Sequence, residues 1–402
     1  MDNSRSTLKL GEVLTERKEV PNADELQNGE TRIISKIRFD TGKIELREET
    51  KTKTDMIVVR PGDLVISGIN ASKGAIAIYE DSNLRPAAAT IHYSSYSVNR
   101  EKADPVYLWF FLRSQIFRNI LISNLHDGIK TELKPSRFLS IPVSLPPVKE
   151  QERTIALVTR IITTIEQSRQ LRKLAMNEAD ALVKAISSRL FEKLESSSQI
   201  TLDGLCHRIT KGESPRWQGY SYVSEGPAFI RSENVLWGSV DLKDVKRIPY
   251  EFHRKLSRSQ LKADDVLINL VGASIGRSAV VPTDVGDANI NQAVAVISPK
   301  ETLNPNYLMR FLISPLAQDV LQRGKVDSAR PNISLADLRH LAIPLPCPDR
   351  PQESLSIQSR IVGYLDTAQQ SLTDLKRVQD ETEKNMGELY SSVLDKALKG
   401  EL

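Results

Sequence analysis

The sequence predicts an α/β (α+β) fold in which two similar globular domains alternate with two long helices. Three observations carry this. Val148 to Asp203 holds neither proline nor glycine and spaces its apolar residues as a helix does. Gln352 to Leu398 carries a three–four apolar seam. Short matching segments also recur at an offset close to half of the 402 residues, as expected of an internal repeat.

In chain order, the matches align as follows. Gly42-Lys43-Ile44-Glu45 resembles Gly238-Ser239-Val240-Asp241, and Asp63-Leu64-Val65-Ile66 matches Asp265-Val266-Leu267-Ile268. Ala71-Ser72-Lys73-Gly74 matches Ala273-Ser274-Ile275-Gly276, and Tyr107-Leu108 with Phe111-Leu112 matches Tyr307-Leu308 with Phe311-Leu312. Leu139-Ser140-Ile141-Pro142 matches Leu341-Ala342-Ile343-Pro344. Gln151-Glu152-Arg153 then matches Gln358-Ser359-Arg360, after Pro348 to Ser356 absorbs a longer offset. No single match is strong, but their common order makes chance a poor explanation. The division that follows is a globular domain over residues 1–147, a spacer helix over 148–198, a second globular domain over 199–351 and a second spacer helix over 352–402.

Within the globular parts, Met56–Val59, Leu64–Ser67, 75–79, 228–231, Val266–Asn269, 278–281 and 293–297 read as short strands. Asp104-Pro105 and Asn304-Pro305 each place an N-cap residue before a proline at the first helical position. Proline-rich segments, 141–147 and 343–351, close each part as stiff connectors.

In the first long helix the seam reads Ile155, Val158, Ile162, Ile165 and, after a slip, Leu171, Leu174, Ala181, Ala185. Glu150 and Glu152 suit the positive end of its dipole. At 1.5 Å per residue, about 45 residues span roughly 65–70 Å. The second seam reads Ile361, Leu365, Ala368, Leu372, Leu375, Thr382, Met386, Leu389, Val393, with polar Gln379 at a register-fixing position. Both helices overrun any plausible domain face, so pairing with each other, antiparallel, is the expectation. The result is a strut holding two similar domains in pseudo-two-fold relation. Duplex DNA suits such an object, because paired modules bind sites about one helical turn, roughly 34–36 Å, apart.

The bulk properties set limits. A net charge of +4 does not by itself announce nucleic acid. Cys206 and Cys347 match no metal or disulfide spacing, which fits a reducing compartment. The polar N-terminus lacks a signal-peptide core, and no apolar run is long enough for a membrane. A cytoplasmic protein without membrane contact is expected.

At this point the residues resemble a family, the specificity (S) subunit of type I restriction–modification systems, over essentially the full length. The carriers are Ile141-Pro142, Pro146-Pro147 and Glu150-Gln151 with Arg153, the echo from Ile343-Pro344 to Gln358-Ser359-Arg360, and the ending Leu394 to Gly400-Glu401-Leu402. Ile209-Thr210-Lys211-Gly212 with Ser214-Pro215 resembles a common start of that family's target-recognition domains. The second repeat departs from the pattern, with Ile357 where the first has Glu150. The resemblance implies that each globular part is a target-recognition domain reading one half of a bipartite, asymmetric site in double-stranded DNA. It implies that the helices space these domains and dock two modification (methyltransferase) subunits, which restriction subunits can join. It also implies no cofactor in this chain: S-adenosylmethionine belongs to the modification subunit, and ATP and Mg to the restriction subunit.

Signals for chemistry within the chain are weak. Asp104-Pro105-Val106-Tyr107 and Asn304-Pro305-Asn306-Tyr307 resemble the D/N-P-P-Y motif of amino-methyltransferases, but both lack the second proline and no glycine-rich cofactor loop accompanies them. Capped helix starts explain them as well. Gly272 to Ser278 is one residue short of a phosphate loop and carries Arg277 in place of lysine. The five histidines show no metal-ligand spacing. A non-catalytic chain is expected. Candidate DNA contacts are polar and basic loop residues at matching places in the two repeats. They are Asn70, Ser72, Lys73 and Lys130 in the first domain, and Lys211, Arg216, Trp217, Arg231, Asn234, Ser274, Arg277, Lys325, Arg330 and Asn332 in the second. The alternatives are a coiled-coil protein scaffold with two adaptor domains and no DNA role, a methyltransferase fused to a helical arm, and a DNA-binding regulator that needs no partner.

Overall fold

In a computed structural model, the structure describes residues 6–28, 31–47, 54–124, 133–195, 199–323 and 332–402. The fold is mixed α/β. The chain divides into two compact units, Met1–Leu171 with Asp380–Leu402, and Arg172–Gln379.

In the first unit, an antiparallel sheet has the strand order Leu14–Glu16, Tyr93–Val98, Leu64–Ser67, Ile76–Ile78. A second sheet has the order Ile44–Arg47, Arg32–Ile37, Ala87–Thr90, Met56–Val59, with Arg32–Ile37 parallel to Ala87–Thr90. Ser6–Lys9 pairs with Pro142–Leu145, so the proline-rich connector is itself a strand. Helices Pro105–Arg113, Gln115–Asn124 and Pro135–Leu139 cover the first sheet. Their core is aromatic, with Phe117 edge-on to Phe138 and Tyr96 against Phe138. Buried Asp63 accepts hydrogen bonds from Arg17 Nε (2.6 Å) and Ser95 Oγ (2.8 Å). The bond to Asp63 holds the Arg17 guanidinium above its ordinary range.

The second unit repeats this order with different residues. Its main sheet runs Cys206–Lys211, Val294–Pro299, Val266–Asn269, Ser278–Val280, all antiparallel. In its side sheet Val223–Ile230 lies parallel to Ala288–Ile290 and antiparallel to Lys246–Arg247. Gln199–Thr201 pairs with Ala342–Pro344. Buried Asp265 again accepts from an arginine, Arg208 Nη2 (2.7 Å), and from a serine, Ser298 Oγ (2.5 Å).

The long helices are Val148–Glu195 and Pro351–Lys399. In the first unit, Val158 from the start of the mid-chain helix shares a core with Leu394, Ala397 and Leu398 from the end of the closing helix. The Leu394-to-Leu398 ending is therefore core material. In the second unit the order reverses: Phe191, near the end of the mid-chain helix, shares a core with Val362 and Leu365, near the start of the closing helix. Phe191 lies edge-on to Tyr307 and Phe311. Within each unit the two segments thus run head to foot. Arg172 donates from Nε to Gln379 Oε1 and from Nη2 to the Gln379 carbonyl (2.7 Å), so the polar seam residue has an arginine opposite it.

Parts of both seams need correction: in the closing helix Leu375 and Leu389 are exposed. In the mid-chain helix Leu171, Leu174, Ala181 and Ala185 are exposed, whereas Arg172, Val183, Ile186 and Leu190 are partly buried. Apolar counting misplaced the stripe because an arginine occupies an inward position.

Each globular part is fastened to its long helix by a fully buried glutamine. Gln151 Oε1 accepts from the Asp104 amide (2.9 Å), and its Nε2 donates to the carbonyls of Lys102 (3.2 Å) and Pro146 (2.8 Å). Gln358 Oε1 accepts from the Asn304 amide (2.8 Å), and its Nε2 donates to the Thr302 carbonyl (3.1 Å) and Ser354 Oγ (3.0 Å). The glutamine satisfies the amide of the helix-capping residue while the cap satisfies the helix.

Candidate nucleic-acid interface

In the second unit, most of the described candidate contacts leave from one end of the main sheet. Register places Lys211 beside Ala295, Ala295 beside Ile268 and Ile268 beside Ser278. The outgoing ends of two strands and the incoming ends of the other two therefore share an edge. Exposed Lys211 starts the loop that bears Arg216 and Trp217 on the short turn Pro215–Gln218, closed by Gly219 at φ +82°. Trp217 is 75% exposed. This loop needs Gly212, since a Cβ there would sit 1.7 Å from the Ile290 carbonyl oxygen.

From the same edge, Gly272–Ser274 forms the turn that leads to Arg277. Asn332 lies across from Val271 in an antiparallel bridge, and the Ile333 amide donates to the Leu270 carbonyl (2.9 Å). Asn269, fully buried, donates from Nδ2 to the Ser232 carbonyl (2.8 Å) and so draws in the loop of Arg231. Arg231 pairs with Glu233 (2.6 Å). Asn234 is placed differently from an exposed reader. It is buried, its Oδ1 accepts from the Arg231 amide (3.0 Å) and its Nδ2 donates to the Asp241 carbonyl (3.2 Å), so its polar atoms hold the loop.

In the first unit, Asn70, Ser72 and Lys73 lie on the turn around Ala71–Lys73, between strands Leu64–Ser67 and Ile76–Ile78. The Leu133 amide donates to the Gly68 carbonyl (2.9 Å), as Ile333 does to Leu270 in the second unit. Lys73 is exposed and its Nζ stands 5.9 Å from the Phe39 ring centroid. Arg113 donates to the carbonyls of Gly74, Phe39 (3.1 Å) and Asp40 (2.8 Å), joining this turn to the hairpin beside it. Burial lowers the Arg113 pKa from its ordinary value. Lys130, Lys325 and Arg330 lie outside the described residues.

Sequence reasoning missed two exposed aromatics next to these turns, Phe39 and Trp237. Each precedes a glycine of the matched Gly42 and Gly238 segments, a signal that the repeat already contained.

The segments considered for chemistry are absorbed by the fold. Asp104 Oδ1 accepts from the amides of Val106 (2.7 Å) and Tyr107 (3.3 Å), and Asn304 Oδ1 from those of Asn306 (2.9 Å) and Tyr307 (3.2 Å). Tyr107 and Tyr307 are buried, and the Tyr307 hydroxyl donates to the Pro344 carbonyl. Among the described residues, no group of His, Cys, Asp or Glu is arranged to hold a metal ion, and no helix is long and apolar enough to cross a membrane.

Residues 212–383 match the family described as the type I restriction modification DNA specificity domain. The chain is similar to the type I restriction enzyme EcoBI specificity subunit of Escherichia coli, at 27% identity over 283 residues, which is 64% of this chain and 58% of that protein. It is also similar to the EcoKI specificity subunit of Escherichia coli strain K12, at 22% identity over 94% of this chain and 81% of that protein. Among solved structures, one from a study of complex assembly and conformational transition in a type I R-M system has a TM-score of 0.70 at 23% identity, covering 100% of this chain and 99% of the other. The HsdS subunit from Thermoanaerobacter tengcongensis has a TM-score of 0.59 at 23% identity, covering 100% and 98%. The fold agrees with these structures, and the matched specificity domain contains the second unit's loops from Gly212 onward. The matched domain and the two similar proteins together support reading this chain as a specificity subunit of a type I restriction–modification system.

Proposed function

We propose that the chain is the non-catalytic, sequence-specific DNA-recognition subunit of a type I restriction–modification enzyme. The carrying observation is the shared sheet edge of the second unit, where Lys211 ends a strand and Arg216, Trp217, Ser274 and Arg277 lie on the turns and loops beyond it. Polar and basic groups on surface loops are what base-edge and phosphate contacts require. The turn at Asn70–Lys73 offers the first unit a smaller counterpart.

On this reading the two units are two target-recognition domains, each reading one half of a bipartite, asymmetric site. Their main sheets have the same strand order, and their loops differ in length and composition. The boundaries are 1–147 and 199–351 for the readers, with 148–198 and 352–402 as spacers. The antiparallel helices space the readers in pseudo-two-fold relation and dock two modification subunits, with restriction subunits joining them. S-adenosylmethionine is then bound by the modification subunit, and ATP and Mg by the restriction subunit. Such a complex works in the cytoplasm.

The test is genomic. The gene is expressed with its neighbouring methyltransferase in a host lacking such systems, and methylated adenines are mapped by single-molecule sequencing. A gapped two-part motif is expected, and replacing residues 199–344 changes one half of it. Well-expressed subunits that leave no new motif would refute the proposal.

A further inference from the structure

Both units present an exposed aromatic at the same structural address. In the first, Arg32–Ile37 and Ile44–Arg47 form a hairpin whose tip contains Phe39, 48% exposed, and Gly42 at φ +67°. In the second, the Val235–Val240 bridge closes a tip containing Leu236, Trp237, 54% exposed, and Gly238 at φ +85°.

Each tip is pinned beside the turn that leaves the main sheet, and by different means. In the first unit Arg113 joins the carbonyls of Phe39 and Asp40 to that of Gly74, and a Cβ on Gly42 would lie 2.9 Å from the Ile76 carbonyl oxygen. In the second the Gly238 amide donates to the Ser278 carbonyl (2.9 Å), one residue past Arg277. Asn234 ties down the base of that tip. Unrelated residues thus hold an aromatic side chain in the same place, where water exposure costs free energy. A single stray exposed aromatic needs no explanation. Two at matching positions, each on a glycine turn and each next to a basic turn, point to a ligand.

We propose that Phe39 and Trp237 are base-stacking wedges, one for each half-site, which contact or part a base step of duplex DNA beside the contacts made by the neighbouring turns. A narrow tip with one ring suits a base step. It does not suit a protein partner, since a stable protein interface needs about 800 Å² from each side. Lys73 above the Phe39 ring and Arg277 near the Trp237 tip place positive charge where phosphates would run.

This inference rests on the DNA-recognition reading, and its test separates the two. The full chain, co-purified with its modification subunit, is titrated with a duplex carrying the motif returned by the methylation map and with a scrambled duplex. Trp237→Ala and Phe39→Ala each weaken binding to the motif about tenfold or more, as expected for lost base–aromatic stacking. Trp237→Phe retains most of the affinity, and the subunits co-purify as before. Unchanged affinity in both alanine variants would overturn the wedge while the wild-type motif upholds DNA recognition. A variant that loses the modification subunit but not the preference for the motif assigns the tips to protein docking and also overturns it. If the wild-type complex yields no motif, both readings fall.

Discussion

Replacing Gln358 with leucine tests how the closing helix is fastened to the second unit. Leucine approximates the volume of glutamine but offers no donor or acceptor. The variant leaves the Asn304 amide and the Thr302 carbonyl without the bonds of 2.8 Å and 3.1 Å that they now make, and frees the Ser354 hydroxyl. Gln358 is fully buried, so water cannot readily substitute. A buried polar group stripped of its partner costs about 1–3 kcal/mol, and part of the serine term is recovered by rotation, so the total is about 2–4 kcal/mol. For a unit of this size each kcal/mol lowers the melting temperature by roughly 2–4 °C, giving a drop of roughly 4–16 °C. Differential scanning calorimetry of the full chain reads this directly. Gln151→Leu repeats the experiment in the first unit, where the lost partners are Asp104, Lys102 and Pro146. A Gln358→Leu protein melting within a degree of wild type would refute the idea that this side chain secures the junction.

Gly212→Ala pushes a Cβ to within 1.7 Å of the Ile290 carbonyl oxygen and is expected to cost more than about 4 kcal/mol or abolish folding. Gly219→Ala meets only open space and costs about 1 kcal/mol for its φ of +82°; urea midpoints of the two variants should differ accordingly. Burial pushes the Cys206 thiol up to about 12, so iodoacetamide at neutral pH labels Cys347 and spares Cys206 until denaturant is added, as peptide mapping would show. The sign for stability follows from that raised value. The thiol's contribution is complete below the unfolded value of 9 and is lost as pH rises from there toward about 12. A double-mutant cycle of Arg172→Ala with Gln379→Ala should return a coupling of about 1 kcal/mol from the Nε–Oε1 bond. Additivity within about 0.3 kcal/mol would argue that the pair sets no register.

Much of the secondary structure was legible because its causes are local. Runs of β-branched residues marked Met56–Val59, Leu64–Ser67 and Val266–Asn269. Asp104-Pro105 and Asn304-Pro305 marked helix starts, because a cap and a proline act within one turn of the chain. The candidate interface was only half legible. Residue type and loop position pointed to Lys211, Arg216, Trp217, Ser274 and Arg277, but the same logic included Asn234, whose amide is committed to the backbone around it.

What the sequence by itself determined is the two long helices, several strands, two capped helix starts, the recurrence of matched segments and the residue types available for contact, since propensity, capping and periodicity are read over a few neighbours. Only the tertiary structure decided which faces are covered. It turned Leu171 and Leu174 outward and Arg172 toward Gln379, buried the tail from Leu394 to Leu398 in the first unit's core, and set Phe39 and Trp237 on tips beside the basic turns. Burial depends on partners far away along the chain, and no local pattern of apolar and polar residues encodes which partner arrives.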